Sequence, residues 1–202
     1  MAAVCNAGGF GILQAQSCPP PVLRAQITHL RALTDKPFGV NFILHLPHRD
    51  GVELCLEERV AALSFFWGNP AEFVAPAHAA GLAVIHQVGS VAAAVRSCRA
   101  GVDVIIAQGV EAGGHVAGTV STMALVPRIV DAVAPTLVLA ATEEDTVRTI
   151  LFGHGWPNAP HRTLRTPFVD GISASPSPNA GRLILALSCV SSRSDPKTEC
   201  PA

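Results

Sequence analysis

The feature that most constrains this chain is a repeat of short apolar runs rich in β-branched and aromatic residues, separated by stretches with helical spacing. The runs are Phe10–Leu13, Phe38–Leu44, Leu63–Trp67, Leu82–Val88, Val102–Ala107 and Thr136–Ala140. Between them, Pro21–Leu33 places Leu23, Ile27 and Leu30 on one helical face, with prolines at its start where a missing N–H costs nothing. Val52–Ala61, Pro70–Ala80, Ser90–Ala100 and Met123–Val133 are the other helical stretches. Gly81 and Gly101 stand where helices should stop before the next strand. This alternation predicts an α/β fold of parallel βα units. Hydrophobic residues make up 49% of the chain and charged residues 14%, which suits strands buried on both faces.

Both a doubly wound sheet and a (β/α)8 barrel of TIM type satisfy that pattern. The first βα turn lacks GxGxxG, and polar or glycine-containing ends follow the runs at Asn41, Trp67-Gly68, Gln87 and Gln108-Gly109. Strand ends of one kind gathered at one mouth are the barrel's arrangement, so an incomplete barrel of about six parallel strands is the expectation. It should occupy residues 1–170 as a single domain. Ser173–Gly181 reads as a linker and Ser191–Ala202 as a disordered tail, whereas Leu183–Val190 fits a strand or a helical turn equally well.

A net charge of -1 with scattered cations offers no basic stripe for nucleic acid or anionic lipid. The six cysteines form no CxxC pair, and no run of about 18 apolar residues occurs. A cytoplasmic protein with reduced thiols, without membrane or nucleic-acid partners, is the resulting expectation.

Chemistry concentrates in Val102–Gly118, VDVIIAQGVEAGGHVAG. An apolar run delivers Gln108 and Gly109 to its end, and the loop beyond holds Glu111, Gly113, Gly114 and His115. Paired glycines let a backbone approach a flat ring or an oxyanion, and a His beside them can exchange a proton with a carbon acid. A lone His is nevertheless more often structural. Asn41, inside an apolar run, needs either a ligand or an internal polar partner. Trp67 fits a ligand wall or core packing equally. His29, His45, His48, His78 and His86 have no carboxylate or Cys at a ligand spacing, and His154 and His161 flank a Gly- and Pro-containing loop.

AQGVEAGGHVAG resembles the motif of the nitronate monooxygenase family, as do NAGGFGIL (6–13), LRALTDKPFGVNF (30–42), LSFFWG (63–68), AGLAVIHQVGS (80–90) and the segments 142–152 and 156–165. The resemblance implies a (β/α)8 barrel that binds FMN and oxidises alkyl nitronates with O2 to a carbonyl compound and nitrite. It implies that Asn41, Gln87, Gln108, Gly109, Gly113 and Gly114 lie against the flavin and that His115 is the catalytic base. Set against the family pattern, the leading strand and about one and a half βα units around the seventh helix and eighth strand have no counterpart. Two function classes follow: an FMN-dependent oxidoreductase, or an inactive barrel fragment with weak or no flavin binding that acts through protein contacts. Open sheet edges would favour self-association.

Overall fold

The computed structural model describes residues 1–141, 146–149 and 161–164. After a short helix α1 (Ala2–Asn6), strands and helices alternate: β1 (Gly11–Gln14), α2 (Pro20–Leu33), β2 (Phe38–Ile43), α3 (Arg49–Glu58), β3 (Ala62–Phe66) and α4 (Ala71–Ala79). There follow β4 (Ala83–Val88), α5 (Val91–Arg99), β5 (Val104–Gln108), the two-residue β6 (Gly114–His115), α6 (Thr122–Val133) and β7 (Leu137–Ala141). Two further strands, β8 (Thr146–Thr149) and β9 (His161–Leu164), complete the described elements.

β1, β2, β3, β4, β5 and β7 pair in that order, each parallel to the next, which is the sequential winding of an incomplete TIM-type barrel and not the reversed order of a doubly wound sheet. Every residue of β2 and β3 is buried, as expected for central parallel strands covered on both faces. Period-2 alternation sorts their side chains. Val40, Phe42, Leu63, Phe65, Val84 and Ile105 join the helix residues Leu23, Ile27 and Ile129 in the outer core. Burying each such side chain contributes about 1.5–3 kcal/mol. The opposite parity forms a smaller inner cluster of Ala62, Ile85 and Ile106, flanked by Ile12, Val104 and Leu139.

α2 buries the predicted stripe of Leu23, Ile27 and Leu30 and starts at Pro20. α3 starts three residues before the expected Val52, because His48 and Arg49 already turn the chain and Gly51 lets the helix backbone meet the Phe42 ring. Ser90 caps α5 by accepting the Ala93 N–H at 3.2 Å. The four described cysteines are free, and burial pushes the Cys55 thiol up to about 12.

A second sheet is a departure from the sequence expectation. β9 pairs antiparallel with β6 on one side and β8 on the other, in the order β6-β9-β8. His161, expected beside a loop, lies in β9 opposite His115. The expected linker and tail beyond residue 170 lie outside the described residues.

Candidate active site

Parallel order sends the carboxyl ends of all six strands to one rim. On the inner face below that rim, polar side chains replace the apolar layer. Gln14, Asn41 and Ser64 occupy one register across β1, β2 and β3. The Asn41 amide donates to Gln14 Oε1, and Ser64 Oγ donates to Asn41 Oδ1 at 3.0 Å. Asn41 is 9% exposed, so this network supplies the partners that its burial requires. Gln14 and Ser64 escaped the sequence reading: Gln14 directly follows the Phe10–Leu13 run and Ser64 stands inside Leu63–Trp67, and pairing gives both the parity of Asn41.

Nearer the rim, Gln87 of β4 pairs with Phe66 and Ile106 of the flanking strands and is 9% exposed. It lines a cleft of about 330 Å³ with Trp67, Gly68, Ser90, Arg96 and Thr119. The cleft closes where Gly89 and Gly118 bring their backbones together, since a Cβ on Gly89 would lie 2.6 Å from the Gly118 nitrogen.

Gln108 ends β5 and is 1% exposed. Its Nε2 donates to the His115 carbonyl at 2.6 Å, and its Oε1 accepts the Ala117 N–H at 3.1 Å. The side chain is therefore a brace for the loop that carries His115. Gly109 is packed against the start of α6, where a Cβ would fall 2.0 Å from Thr122 Oγ1. Only glycine fits that contact. Gly113 precedes β6, and Gly114 adopts φ +71 with open space where a side chain would stand.

Glu111 ties the same loop to α6. Its Oε2 accepts the Thr122 N–H at 2.7 Å and the Thr122 hydroxyl at 2.9 Å. The hydrogen bond from the Ser121 side chain, followed by that from the Thr122 backbone, holds the Glu111 carboxyl down at about 2, well below the usual 4.5. Its negative charge sits at the positive end of the α6 dipole.

His115 faces the Trp67 ring, with centroids 6.0 Å apart and planes at 60°. Trp67 also stacks on Phe66 at 4.4 Å and on His45 at 5.5 Å. The rim therefore joins a histidine on a braced, glycine-rich loop to an aromatic wall, above amides on an otherwise apolar floor. Such a surface suits a flat, partly polar ring and a small substrate with a removable carbon-bound proton. Among the described residues no group of His, Cys, Asp or Glu could hold a metal, and no helix is long and apolar enough to cross a membrane.

The fold superposes on FabK from Thermotoga maritima with a TM-score of 0.66 and 32% identity, over 85% of this chain and 68% of that one. The nitronate monooxygenase family model matches residues 1–50 and 46–143, and the chain belongs to this family of oxidoreductases. It is 32% identical to a nitronate monooxygenase of Paraburkholderia phytofirmans over 154 residues, covering 56% of this chain and 42% of the relative. A relative from Rhodococcus jostii, named (3aS,4S,5R,7aS)-5-hydroxy-7a-methyl-1-oxo-octahydro-1H-indene-4-carboxyl-CoA dehydrogenase, is 39% identical over 143 residues, covering 69% of this chain and 40% of that one. The chain thus spans about two fifths of the length of these curated relatives. The Paraburkholderia alignment runs over 154 positions while using 56% of the 202 residues, so the relative carries residues with no counterpart here.

Proposed function

We propose that this chain forms the flavin- and substrate-facing part of an FMN-dependent oxidoreductase that oxidises alkyl nitronates and the nitroalkane carbon acids from which they form, with His115 as the proton-handling residue. One observation carries the reading: His115 is held at the rim by the Gln108 brace, beside Trp67 and above the inner-face amides. The residues present fit the ring end of the cofactor. Ala62, Ile85 and Ile106 make an apolar floor, Asn41 and Gln87 supply amides, and Gly113-Gly114 allows close backbone approach. When bound, FMN supplies the electron acceptor and the route to O2, giving a carbonyl compound and nitrite.

The protein's part is position and proton transfer. A neutral nitroalkane must lose its α-proton, and His115 is the base for that step; a preformed nitronate needs only orientation. His115→Ala should therefore slow oxidation of the neutral nitroalkane about 10² to 10⁴-fold while leaving the nitronate rate near its starting value. Equal losses on both substrates would remove His115 from the role of base. The visible flavin spectrum of the purified protein and an FMN titration test the cofactor assignment, and failure to bind FMN would favour the inactive-fragment reading.

A second substrate class has its own support, since the Rhodococcus relative is named for a carboxyl-CoA compound. A thioester α-proton is also a carbon acid, and assays on acyl-CoA and nitronate side by side separate the two. Self-association belongs to the same proposal. Among the described residues β1 and β7 pair on one side only, and Leu137 of β7 is 57% exposed. Sedimentation velocity should show a concentration-dependent dimer, and a monomer at all concentrations would refute it.

A further inference from the structure

The turn after β3 is built on an unfavourable backbone. Trp67 adopts φ +58 and Gly68 φ +64. Glycine takes the left-handed region freely, whereas tryptophan does so only when its surroundings hold it there. The restraint comes from beneath. His86 lies on β4 with the parity that faces the helices and is 2% exposed. Its Nε2 is 3.1 Å from the Trp67 carbonyl oxygen, and its Nδ1 is 2.7 Å from Ser97 Oγ on α5.

The tautomer follows from counting protons. A carbonyl oxygen accepts only, so the Trp67 contact requires a proton on Nε2. In the neutral ring Nδ1 then accepts, and the Ser97 hydroxyl turns its proton toward it. Ser97 Oγ also lies 2.9 Å from the Ala93 carbonyl, but that oxygen already receives the Ser97 backbone N–H within α5 and does not need the hydroxyl. Desolvation by burial lowers the His86 pKa and so favours this neutral form. A chain of two hydrogen bonds thus runs from α5 through His86 to the backbone of Trp67, whose ring faces His115.

Building on the rim's assignment as the active site, we propose that His86 is a positioning residue: its Nε2–H holds the left-handed Trp67 turn and so sets the indole as the wall beside His115 that selects small, unbranched carbon acids. Trp67 borders a cleft with His86 and Gln87 and on its other side meets His115, so a turn that relaxed would swing the indole away from His115 and widen the space beside that ring.

The test has one arm that needs neither cofactor nor turnover. The chain has two tryptophans, and Trp156→Phe leaves Trp67 as the sole emitter. In that background His86→Gln, whose amide N–H stands near the position of Nε2–H, should retain the parent emission maximum and acrylamide quenching. His86→Leu should shift emission to the red and raise the quenching constant severalfold. Ser97→Ala, which leaves His86 itself in place, should give a smaller shift in the same direction and guards against a His86→Leu variant that fails to fold.

In the second arm, FMN-loaded protein is assayed on a linear and an α-branched nitronate. His86→Leu and Trp67→Ala should each lose about tenfold in the ratio of kcat/KM between the two, the scale on which a pocket senses a methylene. Most of that loss should come from a lower KM for the branched substrate. Unchanged emission and quenching in both His86→Leu and Ser97→Ala would overturn the positioning role. A shifted emission with an unchanged substrate ratio would overturn the selectivity role. If the parent oxidised no nitronate, the function proposed above would fail while the fluorescence arm still decided whether His86 holds the turn.

Discussion

Replacing Gln108 with Leu keeps roughly the same volume and removes both ends of the brace. The parent side chain donates to the His115 carbonyl at 2.6 Å and accepts from the Ala117 N–H at 3.1 Å while 1% exposed. Each hydrogen bond is worth about 0.5–1.5 kcal/mol net, and each buried group left without a partner costs about 1–3 kcal/mol. Ala117 is exposed and can regain water, whereas the His115 carbonyl was met from the buried side. The expected loss is therefore about 2–3 kcal/mol. Because the brace spans only the β5 end and its loop, much of this should appear as local opening. Amide exchange at Ala117 should accelerate about 30-fold or more, at about 1.4 kcal/mol per factor of ten, alongside a lower urea midpoint. Gln108→Glu keeps the acceptor for Ala117 but sets a carboxylate against the His115 carbonyl. It should be destabilised at neutral pH and partly restored in acid, where the protonated carboxyl can donate again. A Gln108→Leu loss below about 0.5 kcal/mol, with unchanged exchange at Ala117, would refute the idea that this amide fastens the loop.

Three further outcomes follow from the same region. Gly109→Ala would place a Cβ 2.0 Å from Thr122 Oγ1 and 2.3 Å from the Thr122 nitrogen, so backbone must shift; a loss of about 1–3 kcal/mol is expected, and an unchanged melting temperature would contradict the close contact. Glu111 has a depressed carboxyl, so its contribution is present above about 4.5 and fades as pH falls toward about 2. Protection of the Thr122 amide should decline over that window in the parent and stay low and flat in Glu111→Gln; parallel profiles would exclude the link. His86 is held neutral by burial, with its folded pKa below the ordinary 6.5. The unfolded chain then takes up the proton first, so stability is full above pH 6.5 and falls below it until the folded pKa is reached, with a limiting slope of about 1.4 kcal/mol per pH unit. His86→Gln should lack that slope in urea unfolding series, and equal slopes would show that His86 titrates alike in both states.

The regular elements of the main sheet were legible because their signals are local. Apolar runs of four to seven residues and a stripe of Leu23, Ile27 and Leu30 report strand and helix without knowledge of any distant contact, and observed strand ends fell within two residues of those read from the pattern. The Gly113-Gly114-His115 loop stood out for a similar local reason, since two adjacent glycines before a His leave little for a core to use; its chemical role is what the His115→Ala comparison tests. What the sequence could not carry was pairing. Alternation puts Asn41 on one face of β2, but only the parallel register sets Gln14 and Ser64 beside it. The short β6, β8 and β9 have no apolar period of their own and exist as strands through contacts between segments far apart in the chain. The use of Gln108 as a brace depends on a loop folding back on its own strand, and the grip of His86 on Trp67 joins β4, α5 and the β3 turn. Periodicity along the chain determined which residues face inward; hydrogen bonds between strands and loops, which the linear order does not encode locally, decided which of them hold the rim and which face it.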